Sequence, residues 1–521
     1  MKKILNEDLL NSKKYENFSI EQLKEEYINL KKDKENQNLK NILLVTIEAI
    51  KQVYEYEINI NDLEKLNFYL NNTSIDISNT EAFYSFLLYS AIKDSIDEQV
   101  HVLFIDDFLA RKYYLQSNKL YETLGIKAAF NLIFKSNAIT KFAVFDANII
   151  FSDWKRIIWE YICNINTQKV AQRPNFKIEN VFIFDIDKII YDYEKNTLKA
   201  DISEFSPNEI EVKKFIKLYK NIVGVSASLS FENKKIEKNY KIKTKILSKD
   251  KEINEKIKNS NEFFYTNKSD KIKHLARQIE ELIQNKETAI IDVENPQDLE
   301  FLCHYLTLKD IEIPLIDNFI DITDENLLTI LTPNKISIIT NNLNSSIEAK
   351  LGGDWEEIAR INTYKTNTDA DSNFYKEKLK KEIAQQKELC KKNIALIQDK
   401  GGINLIFTSH YCELKHEYAI LKNYSNIPIK NIYFYNSAED EVYNSLKLNN
   451  INLFKKQNNK ENETLFNIFA KFLFYLRKYA TKKLIKQTSE VLYFDTIQDK
   501  QEESQNEENK ENEEITEENN S

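Results

Sequence analysis

Short apolar runs rich in β-branched and aromatic residues recur along this chain, each set between helical patterns. Residues 100–105 form one and end in Asp106-Asp107; residues 142–145 and 181–184 form two more, the last ending in Asp185. Residues 289–291, 336–339 and 404–407 repeat the texture further on. Helical spacing fills intervals such as 108–124, 274–283, 299–308 and 375–397. A strand covered on both faces reads as a continuous apolar run, and its alternation with helices requires a parallel sheet with helices on either side. The pattern predicts an α/β chain with two successive parallel-sheet lobes. Helical periodicity over 38–53 predicts helices ahead of them. Ligand sites in such folds lie at the carboxyl ends of strands and in the cleft between lobes.

At 521 residues, 42% hydrophobic and 30% charged, the chain can bury more than one core. The net charge is −9, and residues 501–521 hold nine Glu and one Lys, so the remainder is near −1. That balance gives no global attraction to nucleic acid. Cys163, Cys303, Cys390 and Cys412 are scattered without a CxxC pair, which fits a reducing compartment. His410, Cys412 and His416 lie close in sequence, but with no fourth ligand nearby they read as ordinary packing residues, and no metal is expected. The first residues lack a secretory pattern and no long apolar stretch occurs, so a cytoplasmic location is expected. A basic amphipathic helix over 465–486 could at most rest on the inner membrane, although packing along the second lobe explains it as well.

Specific motifs begin at Val100. Val100-His-Val-Leu-Phe-Ile-Asp-Asp107-Phe-Leu-Ala-Arg111, followed by Leu120-Tyr121 and Gly125, is similar to VHVVTVNDYLARR and LYEFLG of the SecA preprotein-translocase ATPases. Phe215-Ile-Lys-Leu-Tyr219 with Gly224-Val-Ser226-Ala-Ser228 resembles FFRLYKKLAGMTGT of that family. Ile336-Ser-Ile-Ile-Thr340-Asn341 with Lys350-Leu-Gly352-Gly353 resembles VTIATN and KLGG. Gly401-Gly402 and Phe434-Tyr435-Asn-Ser437-Ala-Glu439-Asp440 resemble GG and FYLSMEDD, and Leu492-Tyr-Phe494-Asp495 is distantly similar to LEYDDV. All six glycines of the chain fall on glycines of the family pattern.

The resemblance implies that the two lobes are RecA-like; with the N-terminal helices and a C-terminal helix read from periodicity, and an acidic tail that has almost nothing to bury and should be disordered, this is the fold expected. The divisions expected are 1–70 for the helical segment, 71–228 for the first lobe and 229–455 for the second. A linker and helix over 456–500 and the tail over 501–521 complete the chain. Gly224, Ser226, Ser228, Gly352, Gly353, Gly401 and Gly402 would form elements that couple the lobes.

The phosphate chemistry of the family is missing. Where MKTGEGKT should stand, the chain reads Asp76-Ile-Ser78-Asn79-Thr-Glu81-Ala82-Phe83. Both glycines, the lysine and the final threonine are gone, and a phosphate loop needs bare backbone N–H groups, a lysine and a hydroxyl for Mg²⁺. The family's DEVD is Phe184-Asp185-Ile-Asp187, so the metal-binding position is Phe184. Asp185 and Asp187 are the only candidates for a residual base, and they read better as inherited strand-end carboxylates. GRGTD has become Asn344-Ser345-Ser346-Ile347-Glu348, and the arginine motif falls in 417–429, which holds no arginine. An arginine finger is worth roughly 10³–10⁵ in rate. The preprotein-binding insertion is absent between Asp192 and Phe215.

The expectation is therefore a SecA-like protein of the export machinery that binds or regulates without catalysis. Its partners would be Sec translocation components or a preprotein, not nucleic acid, and it would need no cofactor. The alternative is a divergent ATPase that takes ATP and Mg²⁺ in a remodelled cleft with Arg111 and Lys112 and drives translocation. A nucleic-acid helicase relative is the third reading.

Overall fold

A computed structural model describes residues 7–33, 39–131, 143–166, 175–193, 195–199, 209–247, 250–317, 320–321, 323–340, 347, 349–366, 373–448, 468–477 and 491–493. Four helices come first: α1 (Glu7–Leu10), α2 (Ile20–Lys32), α3 (Leu39–Tyr54) and α4 (Ile60–Leu70). Capping boxes at Ser19 and Asn59 start α2 and α4 by satisfying otherwise orphaned backbone donors. Their apolar faces bury Tyr27, Val45, Ile50 and Leu66 against the first lobe.

The first lobe is a seven-stranded sheet in the order β3-β4-β2-β5-β8-β1-β9. Its strands are β1 (Thr73–Asp76), β2 (Val100–Phe104), β3 (Ala128–Phe130), β4 (Ile149–Asp153), β5 (Asn180–Phe184), β8 (Asn221–Val225) and β9 (Lys243–Ile246). Every pairing in it is parallel. Helices α5 (Asn79–Ser95) and α6 (Asp107–Leu124) follow β1 and β2. The central strands are buried on both faces, as their unbroken apolar character demands. Gly224 lets β8 lie close to β5, because a Cβ there would stand 2.5 Å from the carbonyl oxygen of Ile183.

The second lobe is a six-stranded parallel sheet in the order β10-β15-β14-β11-β13-β12. It comprises β10 (Asn261–Tyr265), β11 (Ala289–Val293), β12 (Leu315–Ile316), β13 (Ile336–Thr340), β14 (Ile403–Phe407) and β15 (Ile429–Ser437). A third, small sheet joins β16 (Val491–Tyr493), β6 (Thr197–Lys199) and β7 (Glu209–Glu211). The chain is thus α/β with two RecA-like parallel-sheet lobes. One buried apolar cluster runs through both lobes, from Phe86 and Phe184 to Tyr418 and Phe434.

Two expectations are corrected. Residues 143–145 form a helical turn, and the strand lies at β4 instead, where Ile149, Ile150 and Phe151 are all buried. The first lobe does not end at 228: the helix Leu229–Tyr240 packs on it, and β9 completes its sheet, so it extends to Ile246. Among the described residues no helix is long and apolar enough to cross a membrane. Of the predicted 465–486 helix, 468–477 is described: Leu473, Phe474 and Arg477 are buried, while Ile468, Phe472 and Tyr475 are exposed. The 501–521 tail, and Asn341, Asn344, Ser345, Ser346, Glu348, Phe494 and Asp495 among the motif positions, lie outside the described residues.

Candidate functional site

The carboxyl ends of β1, β5 and β8 lie side by side, where a RecA-like lobe presents its ligand site. β1 stops at Asp76 and α5 begins at Asn79, so Ile77 and Ser78 alone make the turn. Ser78 has ordinary extended backbone and caps α5: its Oγ accepts from the N–H of Glu81 at 3.3 Å. The Glu81 carboxylate accepts in return from the N–H of Ser78 at 3.4 Å. A two-residue turn cannot curl around a phosphate, and the helix's positive end already faces a carboxylate. Ala82 and Phe83 pack as apolar residues of α5. The residues present therefore do not fit a nucleotide phosphate.

The remaining groups bond to one another in part, with Asn79 Oδ1 and Asp187 Oδ1 buried and accepting no hydrogen bond among the described residues. Asn79 Nδ2 donates to Asp185 Oδ2 at 2.8 Å, and Lys188 Nζ stands 3.6 Å from Asp185 Oδ1. Ser228 Oγ donates to Asp187 Oδ2 at 2.7 Å and lies 3.2 Å from Ser226 Oγ. Asp185 sits at φ 54°, a left-handed conformation that Asp tolerates better than most residues. Phe184, where the resemblance placed a metal ligand, stacks on Phe104 at 4.7 Å inside the core and offers no ligand oxygen. Burial pushes Asp106 up to about 6, against the attraction of Lys188.

The second lobe closes this edge with a residue that the sequence did not single out. The helix Leu414–Asn423 carries Lys422, whose side chain is 1% exposed. Its ammonium donates to the carbonyl of Asp76 at 2.9 Å and to that of Ala227 at 3.2 Å. It also lies 3.0 Å from Asp76 Oδ1, whose side chain is fully buried. A cation from one lobe thus occupies the ends of β1 and β8 in the other. The arginine-free window 417–429 supplies this charge as a lysine.

The same helix is anchored from behind. Arg477 forks onto both oxygens of Glu417, with Nη2 to Oε2 at 2.8 Å, and donates to the carbonyl of Tyr411 at 3.0 Å. His410 bridges Glu417 at 3.0 Å and Glu262 at 3.2 Å. Burial alone would raise the Glu417 carboxyl, but Arg477 and His410 hold it down at about 2. Burial would lower His410, and Glu262 and Glu417 more than reverse that, so it is raised. Nearby, burial and the Asp292 charge push Glu294, just beyond β11, up to about 8. An anionic ligand would meet carboxylates here.

Other expected residues are dispersed. Arg111 is half exposed and lies 3.9 Å from Asp321, while Lys112 lines a cavity between the lobes. A Cβ on Gly352, Gly353, Gly401 or Gly402 would meet second-lobe atoms first, while the 226–228 segment meets the other lobe where the Ala227 carbonyl accepts from Lys422. Cys412 approaches Ser445 at 4.0 Å, His416 stacks on Tyr411, and His410 engages Glu262 and Glu417, so the three residues have separate surroundings. Among the described residues no group of three or more His, Cys, Asp or Glu is arranged to hold a metal.

No family profile and no curated protein matches the chain. Similar solved structures include S. cerevisiae Dbp5 bound to RNA and ADP BeF3, with 11% identity, a TM-score of 0.44, and coverage of 83% of this chain and 97% of that one. The DUF1998 helicase MrfA bound to DNA is similar at 9% identity and a TM-score of 0.48 over 86% of this chain and 51% of that one. A DEAD box protein from Methanococcus jannaschii is similar at 15% identity and a TM-score of 0.35, over 81% and 96%. These are helicase-type chains, and no preprotein translocase stands among them. The assignment to the SecA family is corrected accordingly, and with it the export role and the Sec or preprotein partners. The exclusion of nucleic acid is corrected too, since the Dbp5 and MrfA structures hold RNA and DNA. Preprotein translocases and helicases share the lobe pair, so motifs spread along both lobes do not separate them.

Proposed function

We propose that this chain is a nucleotide-independent binding protein built on a helicase-type pair of lobes. Its lobes are held together by its own side chains, where a motor would use ATP. The observation that carries this reading is Lys422, which spans the lobes to Asp76 and Ala227 at the place where a nucleotide's phosphates would lie. The two-residue turn before α5 and the Glu81 carboxylate at its start support it. A motor needs lobes that close on nucleotide and reopen after hydrolysis. Lobes closed by a buried internal ion pair have no such cycle, so the protein acts by presenting a fixed surface.

Calorimetry with Mg-ATP and Mg-ADP at millimolar concentration tests the reading. The expected result is no Mg²⁺-dependent binding of either nucleotide. Saturable, Mg²⁺-dependent binding that is lost when Asp185 or Asp187 is replaced by Asn would overturn it.

A further inference from the structure

A cavity of about 490 Å³ opens between the lobes, within the range of roughly 300–1,000 Å³ typical of small-molecule sites. Asp76, Asp185 and Lys422 do not line it, so it is separate from the edge that Lys422 closes. Its first-lobe wall comes from the end of α3, the start of α5 and the middle of α6. Its second-lobe wall comes from the first turns of the helix Trp355–Thr366 and the segment before it.

Aromatic rings line both sides. Tyr54, Phe83 and Tyr84 pack edge to face with centroids 5.3–5.9 Å apart. Tyr56 stacks on Tyr84 at 3.6 Å and fixes it from behind. Trp355 contributes from the second lobe, with the Lys387 ammonium 5.3 Å from its ring. Such a wall favours a planar, polarisable ring.

Five of the charged groups that line the cavity are matched within it, and Lys112, Glu122 and Glu357 line it too. Lys119 and Arg360 bind Glu356 at 3.0 and 2.7 Å, and Lys350 binds Asp354 at 2.9 Å. Burial would raise both carboxyls, yet Lys119 with Arg360 and Lys350 hold them below the usual range. A phosphate or carboxylate entering here would have to break these pairs.

We infer that this cavity binds a small, uncharged heteroaromatic molecule of nucleoside size, with its ring among Tyr54, Phe83, Tyr84 and Trp355. Because residues from both lobes form the walls, such a ligand stabilises the closed arrangement of the lobes.

Adenosine, cytidine and riboflavin serve as probes, titrated into the full chain by calorimetry and by saturation-transfer NMR. At least one is expected to bind with a submillimolar Kd. Trp355→Ala is expected to weaken it by about tenfold, as removal of one stacking ring does. Thr80 is exposed on α5 and lines the cavity, so Thr80→Trp fills the space from a position that tolerates bulk. That variant is expected to keep its circular dichroism and to lose binding. Three results would overturn the inference: no saturable binding of any probe at millimolar concentration, binding unchanged in Thr80→Trp, or Mg-ATP binding more tightly than adenosine. The calorimetry of the proposed function turns on Mg²⁺ dependence, so the two readings fail separately.

Discussion

Lys422→Met is expected to lower the stability of the protein by about 3–5 kcal/mol, the usual loss when one partner of a buried ion pair is removed. The substitution keeps most of the side chain's volume and deletes the charge. It leaves the Asp76 carboxylate fully buried without its cation, and the carbonyls of Asp76 and Ala227 without their donor. The effect belongs to the interface, because the cation comes from one lobe and its acceptors from the other. Lys422→Met combined with Asp76→Asn should therefore recover part of the loss, since the stranded charge is gone. Urea titration of the two variants measures the difference. A single-variant loss under about 1 kcal/mol would show that Asp76 is hydrated and the contact is peripheral.

The second large effect is expected at Glu417. Glu417→Gln removes the charge that Arg477 and His410 both bind, and strands a guanidinium whose side chain is fully buried. A loss of about 3–5 kcal/mol is expected near neutral pH. The loss depends on pH in a definite direction. Because the folded carboxyl lies at about 2, below its ordinary value of 4.5, its contribution is fully present above 4.5 and fades as pH falls towards 2. His410 is raised, so its contribution is present below its ordinary 6.5 and is lost as pH rises through its folded value. Wild type and Glu417→Gln should therefore differ most between about pH 4.5 and 6.5, and should converge towards pH 2. Thermal melts across that range check it; a difference constant from pH 3 to pH 7 would remove Glu417 from the account.

Much of the fold was legible because central parallel strands have no polar face to hide them. β2, β5, β11, β13 and β14 all stand out as apolar runs. β9 does not, because it is an edge strand. Lys243 and Lys245 both project from it into solvent, which guards the edge against further pairing and erases the apolar signal. Its loss from view placed the lobe boundary too early. β4 was missed because residues 142–145 look as strand-like as Ile149-Ile-Phe in isolation, and only pairing with β2 and β3 decides between them.

The candidate site was half legible. The turn from Asp76 to Asn79 and the carboxylates Asp185 and Asp187, which the sequence singled out, lie at and just beyond the carboxyl ends of β1 and β5. Lys422 was not singled out, since its partner Asp76 lies 346 residues away and one lysine among 73 basic residues carries no mark. One signal existed: Lys422 follows Tyr418-Ala-Ile-Leu421, an apolar stretch of a helix whose lysine must either snorkel or pair. Arg477 and Glu417 were hidden for the same reason, each belonging to a pair that only the packing of the 468–477 helix on the second lobe brings together.

Small-angle X-ray scattering of the purified chain, with and without Mg-ATP, tests the central claim most directly, because it reads the separation of the lobes. The account predicts one compact curve in both conditions, fitted by the closed lobes, and an expanded curve only for Lys422→Met. An expanded curve for the wild-type protein that contracts when Mg-ATP is added would contradict it.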